Sequence, residues 1–264
     1  MIKTRLAFKL IVISLVVIFV MSGQVTMADS IPGEKIGIVL MHGKGGTTSY
    51  VDDLGDSLKK LGIIVKTPLM PWSKGRIYDK GYEESMAEID TYVEQLKKSG
   101  AKRIFIAGHS IGANATLGYG ARREGLSGII LLAYGHVPGI GGFARKLRES
   151  TDKARAMIRA GKGEEKAAFE DSGGGNETAD STANDIFSWF NPFGPATIMA
   201  NAPNVKPNTP VLCIDGSSDQ WQRCERITAF LPENPKNKSV FVDADHLETP
   251  AEAFNDVKNW LRGL

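Results

Sequence analysis

The stretch "FIAGHSIGANATLG", Phe105 to Gly118, sets a serine between two glycines where an apolar run gives way to small residues. The run before it, "KRIFIAG", has the short, nearly continuous apolarity of a strand buried on both faces. The spacing after it predicts a helix from Ile111 to about Arg123. Between them "GHSIG", Gly108 to Gly112, reads G-x-S-x-G. Glycines two before and two after the serine let the backbone turn sharply without a Cβ clash, which lifts the hydroxyl above the sheet edge. In strand–turn–helix context Ser110 is expected to be a nucleophile. The alternative is an ordinary serine in a glycine-rich loop.

A serine hydroxyl needs a base to take its proton, and the chain has four histidines. His42, in "MHGKGG", is expected to shape a loop, and His109 should project away from the neighbouring hydroxyl. His136, in "YGHVPG", ends an expected strand and could reach the cleft. His246, in "DADHLET", follows the last expected strand, and the chain order Ser…Asp…His makes it the natural base. The supporting carboxylate is expected from "LCIDGSSDQW": Asp215 falls at a strand end, and the turn after it presents Asp219 above the sheet. A helix N-cap is the competing role for Asp219. Two backbone N–H groups complete the set as an oxyanion hole, that of Ile111 and that of Lys44 in "HGKGG". Backbone supplies both, so neither side chain is expected to matter. "GKGG" as a phosphate loop lacks the required spacing.

Around this centre, strand-like runs alternate with helical stretches. Further strands are expected at Lys35–Gly43, Gly62–Pro68, Ser127–Gly135, Thr209–Gly216 and Lys238–Ala244. Helices are expected at about Tyr50–Leu61, Tyr82–Gly100 and Pro250–Leu261. The alternation implies βαβ units, an α/β fold whose mostly parallel sheet of about six strands carries helices on both faces. Between Gly135 and Thr209 no strand is expected. A basic helical stretch (Phe143–Ala160), the glycine-rich run "DSGGGNETADSTAND" and the aromatic "IFSWFNPFGP" follow one another there. Such an insertion reads as a lid.

"LMHGKGG", "IAGHSIGANA", "VLCIDGSSDQW" and "DADHLET" resemble, in this order, the α/β-hydrolase superfamily over roughly Ile36 to Leu261. The resemblance implies Ser110, Asp219 and His246 as a triad, Lys44 and Ile111 as oxyanion donors, and residues 136–208 as a cap. The antiparallel pair that often begins the fold is expected to be short or missing. The implied reaction is hydrolysis of a small carboxylic ester or thioester through an acyl-enzyme, with no metal or organic cofactor. A peptidase or acyltransferase on the same fold, or an exported binding protein that has given up chemistry, are the alternatives. Trp72, Trp189 and His136 are candidates for the substrate pocket, and packing of the cap onto the main domain is the competing role of the tryptophans.

The formal charge of +2 gives no reason to expect nucleic acid as a partner. Lys3, Arg5 and Lys9 precede an apolar run from Leu10 to Met21 and then small residues, the layout of a secretory signal peptide ending near Ala28. About a dozen apolar residues fall short of the ~20 that span a membrane, so contact with a membrane is expected only if this leader is retained. The domain at 29–264 is then expected to work in the periplasm or outside the cell. Export permits a disulfide between Cys213 and Cys224, and two separately buried thiols are the alternative.

Overall fold

The computed structural model describes residues 30–31, 33–173, 178–221 and 223–264. The expected signal peptide, residues 1–28, lies outside them. Within the described residues no helix is long and apolar enough to cross a membrane.

The chain runs β1 (Ile36–Met41), α1 (Ser49–Lys60), β2 (Ile64–Lys66), α2 (Tyr82–Lys98), β3 (Arg103–His109), α3 (Ile111–Arg122) and β4 (Gly128–Leu132). After β4 come α4 (Gly141–Lys146), α5 (Arg148–Arg159), β5 (Lys166–Glu170), β6 (Thr178–Thr182), α6 (Ala183–Phe190) and α7 (Ile198–Asn201). The fold then returns with β7 (Val211–Gly216), α8 (Cys224–Thr228), β8 (Lys238–Val242), α9 (Thr249–Glu252) and α10 (Phe254–Arg262). Six strands form one sheet in the order β2-β1-β3-β4-β7-β8, and every pairing in it is parallel.

The unbroken apolar runs of the strands follow from burial on both faces. Val39, Met41, Ile104, Ile106, Ile129 and Leu131 face one core, shared with Met86, Ile89 and Val93 of α2 and with Trp189 and Phe190 of α6. The alternate residues Ile38, Leu40, Phe105, Ala107, Ile130 and Leu132 face the other, with Leu54 and Leu58 of α1 and Val257, Trp260 and Leu261 of α10. The chain moves outward from β1 to β2, then crosses back to β3 and continues the opposite way. The carboxyl ends of β1 and β3 therefore flank the point where the winding reverses, the place where open α/β sheets take ligands. Gly43 and Ser110 lie there.

Two expectations need correction. The segment between Gly135 and Thr209 holds an antiparallel hairpin, β5 paired with β6 with Phe169 opposite Ala179. Its strands, "KAAFE" and "TADST", are short and rich in residues of weak strand propensity. Phe169, Ala179 and Ser181 turn inward with Ala167 half-buried beside them, so the alternation carries almost no hydrophobic signal. The C-terminal helix is two pieces, α9 and α10, divided at Ala253. The cysteines, left open by the sequence, are joined: a disulfide links Cys213 in β7 to Cys224 at the start of α8.

Candidate active site

Ser110 is the residue between β3 and α3, and its backbone sits at φ 56°, ψ −117°. A side chain in that region costs of order 1–3 kcal/mol and persists only where the surroundings enforce it. Here the Ser110 N–H donates to the Leu132 carbonyl (3.0 Å), while the Ser110 carbonyl accepts from Ala113, Asn114 and Gly135. A Cβ on Gly108 would collide with the backbone of Gly112, and one on Gly112 would lie 2.7 Å from the His42 carbonyl. The two glycines of G-x-S-x-G thus allow the turn to fold on itself and to press against the loop after β1.

The hydroxyl meets its partners across the strand ends. Ser110 Oγ lies 3.0 Å from His246 Nε2, and His246 Nδ1 lies 2.6 Å from Asp219 Oδ2. With Nδ1–H donating to the carboxylate, Nε2 presents its lone pair to the serine. Asp219 Oδ1 accepts the Trp221 N–H at 2.8 Å, so both carboxylate oxygens are occupied. Burial pushes the Asp219 carboxyl up, but the bonds from His246 and Trp221 and the nearby positive charge outweigh it and hold the group below the usual aspartate range. Asp215 does different work: its Oδ2 accepts the N–H groups of Arg223 and Cys224 where α8 begins. Asp245 accepts the N–H groups of Leu247 and Glu248, closing the turn that carries His246.

His109 points away from the hydroxyl, and its Nε2–H donates to the His246 carbonyl at 2.7 Å. Burial, reinforced by the neighbouring His246, lowers its pKa to about 4 and keeps it neutral. Nothing in the sequence signalled this bond, which joins the turn before the serine to the loop of the base. His42 shapes the loop after β1: Nδ1–H donates to the Gly43 carbonyl (2.7 Å) and Nε2 accepts the Met70 N–H (3.1 Å). A Cβ on Gly43 would lie 2.8 Å from His109 Nδ1 and 3.4 Å from Ser110 Cβ, so Lys44 begins beside the nucleophile. Among the described residues the Lys44 N–H makes no backbone hydrogen bond. The Ile111 N–H, first in α3, has no partner inside its helix.

The three substrate-pocket candidates lie in the seam between the sheet layer and the insertion. Trp72 and Trp189 are 1% and 0% exposed, their rings 5.5 Å apart. Their Nε1–H groups donate to the carbonyls of His42 and Lys80. His136, at φ 53°, donates from Nε2 to the Trp189 carbonyl. Burial first, then the charge of Lys44, pushes its pKa well below the usual histidine value. None of the three lines the apolar groove of about 850 Å³ nearby, whose walls include Val137, Ile140, Phe193, Ile198, Met199 and Phe230. The groove begins two residues beyond Gly135, where an added Cβ would collide with Ser110 Oγ. Among the described residues no cluster of His, Cys, Asp and Glu is arranged to hold a metal.

No protein-family model and no curated protein shows a significant match to the chain. Solved structures do match it. A monoacylglycerol lipase of Paleococcus ferrophilus aligns at 20% identity over 86% of this chain and 94% of its own, with a TM-score of 0.60. A thermostable carboxyl esterase of Bacillus coagulans aligns at 16% identity over 89% and 90%, TM-score 0.61. A thioesterase domain from the curacin biosynthetic pathway aligns at 14% over 88% and 92%, TM-score 0.54. At such identities the likeness speaks for architecture, and the six parallel strands, their flanking helices and the shared course of the chain give one conclusion: the protein has the α/β-hydrolase fold.

Proposed function

We propose that the protein is a serine hydrolase that cleaves a carboxylic ester or thioester. The observation that carries this reading is the unbroken hydrogen-bonded chain from Ser110 Oγ through His246 to Asp219. Ser110 Oγ attacks the acyl carbon while His246 Nε2 takes its proton, and Asp219 holds the ring and offsets the charge of the imidazolium. The N–H groups of Lys44 and Ile111 receive the oxyanion. Collapse of the tetrahedral intermediate breaks the bond to the alcohol or thiol, which leaves with the proton from His246. Water, deprotonated by the same ring, then releases the acid and restores the serine.

The groove walled by Phe193, Ile198, Met199 and Phe230 would seat an apolar portion of the ester, and residues 136–208 would act as the cap above it. Structural neighbours named as lipases, esterases and thioesterases agree with this class of reaction. The basic and apolar N-terminus favours export to the periplasm or beyond. The test is hydrolysis of p-nitrophenyl esters from acetate to laurate by the chain from Asp29, beside Ser110→Ala, Asp219→Asn and His246→Ala. Losses of roughly 10⁴–10⁶ in kcat are expected for the serine and histidine variants, and at least ~10⁴ for Asp219→Asn. A folded wild type that hydrolyses none of the esters and resists a fluorophosphonate would sink the assignment.

A further inference from the structure

From Gly43 to Gly46 the loop beside Ser110 reads Gly-Lys-Gly-Gly, so Lys44 is the one residue in it with a side chain to anchor. Gly45 sits at φ 62°, and its N–H bond to the Trp72 carbonyl (2.8 Å) fixes the far side of the loop. The Lys44 side chain leaves the sheet layer altogether. Its ammonium lies 2.6 Å from Asp171 Oδ1 and 2.9 Å from the Ser172 carbonyl, both just beyond β5 of the insertion. The pair is closed off, with the two side chains 9% and 3% exposed. The rings of Tyr78, Phe143 and Phe190 surround the ammonium at 5.7, 5.5 and 5.8 Å.

An ion pair this far buried is directional and little screened by solvent. A backbone donor stabilises an oxyanion only if it is already held where the charge will develop. The Gly43–Lys44 peptide is held at its carbonyl by His42 Nδ1–H (2.7 Å) and the Gly46 N–H (3.2 Å), and on its other side only the Lys44 side chain can anchor it. We propose that Asp171 is a positioning residue for the oxyanion hole: through the Lys44 side chain it supplies the second anchor, beside His42, that sets the direction of the Lys44 N–H. The insertion then belongs to the catalytic apparatus as well as covering it. Neither residue's side chain touches the substrate. The proposal rests on the reading of Ser110 as nucleophile.

The experiment compares Asp171→Asn and Lys44→Arg with wild type and with Ser110→Ala, using p-nitrophenyl butyrate and an alkyl trifluoromethyl ketone. The ketone accepts the serine oxygen and places a hemiketal oxyanion in the same hole. Asp171→Asn is expected to lower kcat by roughly 10–100-fold, part of the ~10²–10³ lost when a donor is removed outright. KM should stay within about threefold, since the effect is confined to the transition state. The ketone's inhibition constant should rise in proportion to the fall in kcat/KM. Lys44→Arg, which keeps the positive charge opposite Asp171, should lose less than Asp171→Asn in both kcat and ketone affinity. If Asp171→Asn does not fold, the double variant Lys44→Met/Asp171→Leu replaces the pair by apolar groups, which buried sites often tolerate. It should show the same parallel losses. Wild-type ketone affinity in a folded Asp171 variant, or a rise in KM with kcat unchanged, overturns the proposal and leaves the nucleophile in place. Activity that survives Ser110→Ala removes the underlying reading, and this one with it.

Discussion

The loop after β1 meets the insertion between β4 and β7 at Lys44, yet the loops at the strand ends and the insertion are held in opposite ways. At the strand ends each functional group hangs on a directional bond: Ser110 N–H on Leu132, Asp219 Oδ1 on Trp221, the His246 carbonyl on His109. The insertion is held mainly by aromatic packing. Trp189 lies against Trp72, Tyr78 and Tyr82 with ring centroids 4.7–5.9 Å apart, and Phe190 lies 5.6 Å from Tyr78. Polar ties also cross the seam: Asn114 Nδ2 donates to the carbonyls of both His136 and Ala196, the Tyr82 N–H to Ser188 Oγ, and Ser181 Oγ to the Tyr78 carbonyl. Hydrogen-bonded geometry fails when one atom is displaced, whereas packed rings lose stability in proportion to what is removed.

Gly135→Ala is the sharpest way to test the first half of that contrast. The methyl would occupy the place of Ser110 Oγ, so the hydroxyl must leave His246 or the strand end must shift. Activity on p-nitrophenyl butyrate is expected to fall by about 10⁴-fold, near the losses of triad variants and about 5 kcal/mol in barrier. A Gly135→Ala enzyme within tenfold of wild type would mean that the strand ends yield easily, and the contrast would fail.

Trp189→Ala tests the other half. It removes a fully buried indole and its bond to the Lys80 carbonyl. The expected cost is about 3–5 kcal/mol of stability, read from urea unfolding. The fall in kcat per folded molecule should be far smaller than for Gly135→Ala. A loss under ~1 kcal/mol would show that the seam relaxes around the gap.

The same division explains what the sequence could tell. Continuous apolar runs such as "KIGIVLM" and "SGIILL" report burial on both faces of a strand, so all six sheet strands could be placed within three residues at either end. The short β2 lay inside a longer expected run. Ser110, Asp219 and His246 stood out because each falls in the turn or loop that follows a strand, and the structure brings them within hydrogen-bonding reach of one another. The insertion gave no such signal: the inward residues of its hairpin are one phenylalanine and small side chains, and the stretch holding Trp189 read as aromatic without a period. Lys44 was chosen for its backbone alone, because its partner Asp171 lies 127 residues away at the start of the glycine-rich run. Pairings between distant polar side chains are invisible to periodicity. The bond from His109 to the His246 carbonyl was missed for the same reason.

The burial of His109 also makes the strand ends sensitive to acid. His109 has a pKa of about 4 in the fold against an ordinary 6.5, because burial disfavours the imidazolium. A base whose folded value is depressed takes up its proton first in the unfolded chain. Stability is therefore complete above about pH 6.5 and declines as pH falls from there toward 4. Between pH 7 and pH 5 this single residue should remove about 2 kcal/mol. His42 and His136, also lowered by burial, act in the same direction. His109→Gln keeps an N–H donor for the His246 carbonyl and has no proton to gain. Its urea midpoint should consequently vary less between pH 7 and pH 5 than that of wild type, by the equivalent of about 2 kcal/mol. Parallel pH profiles for the two proteins would mean that the imidazole is not held neutral by the turn beside Ser110, and that the strand ends owe their acid sensitivity to other groups.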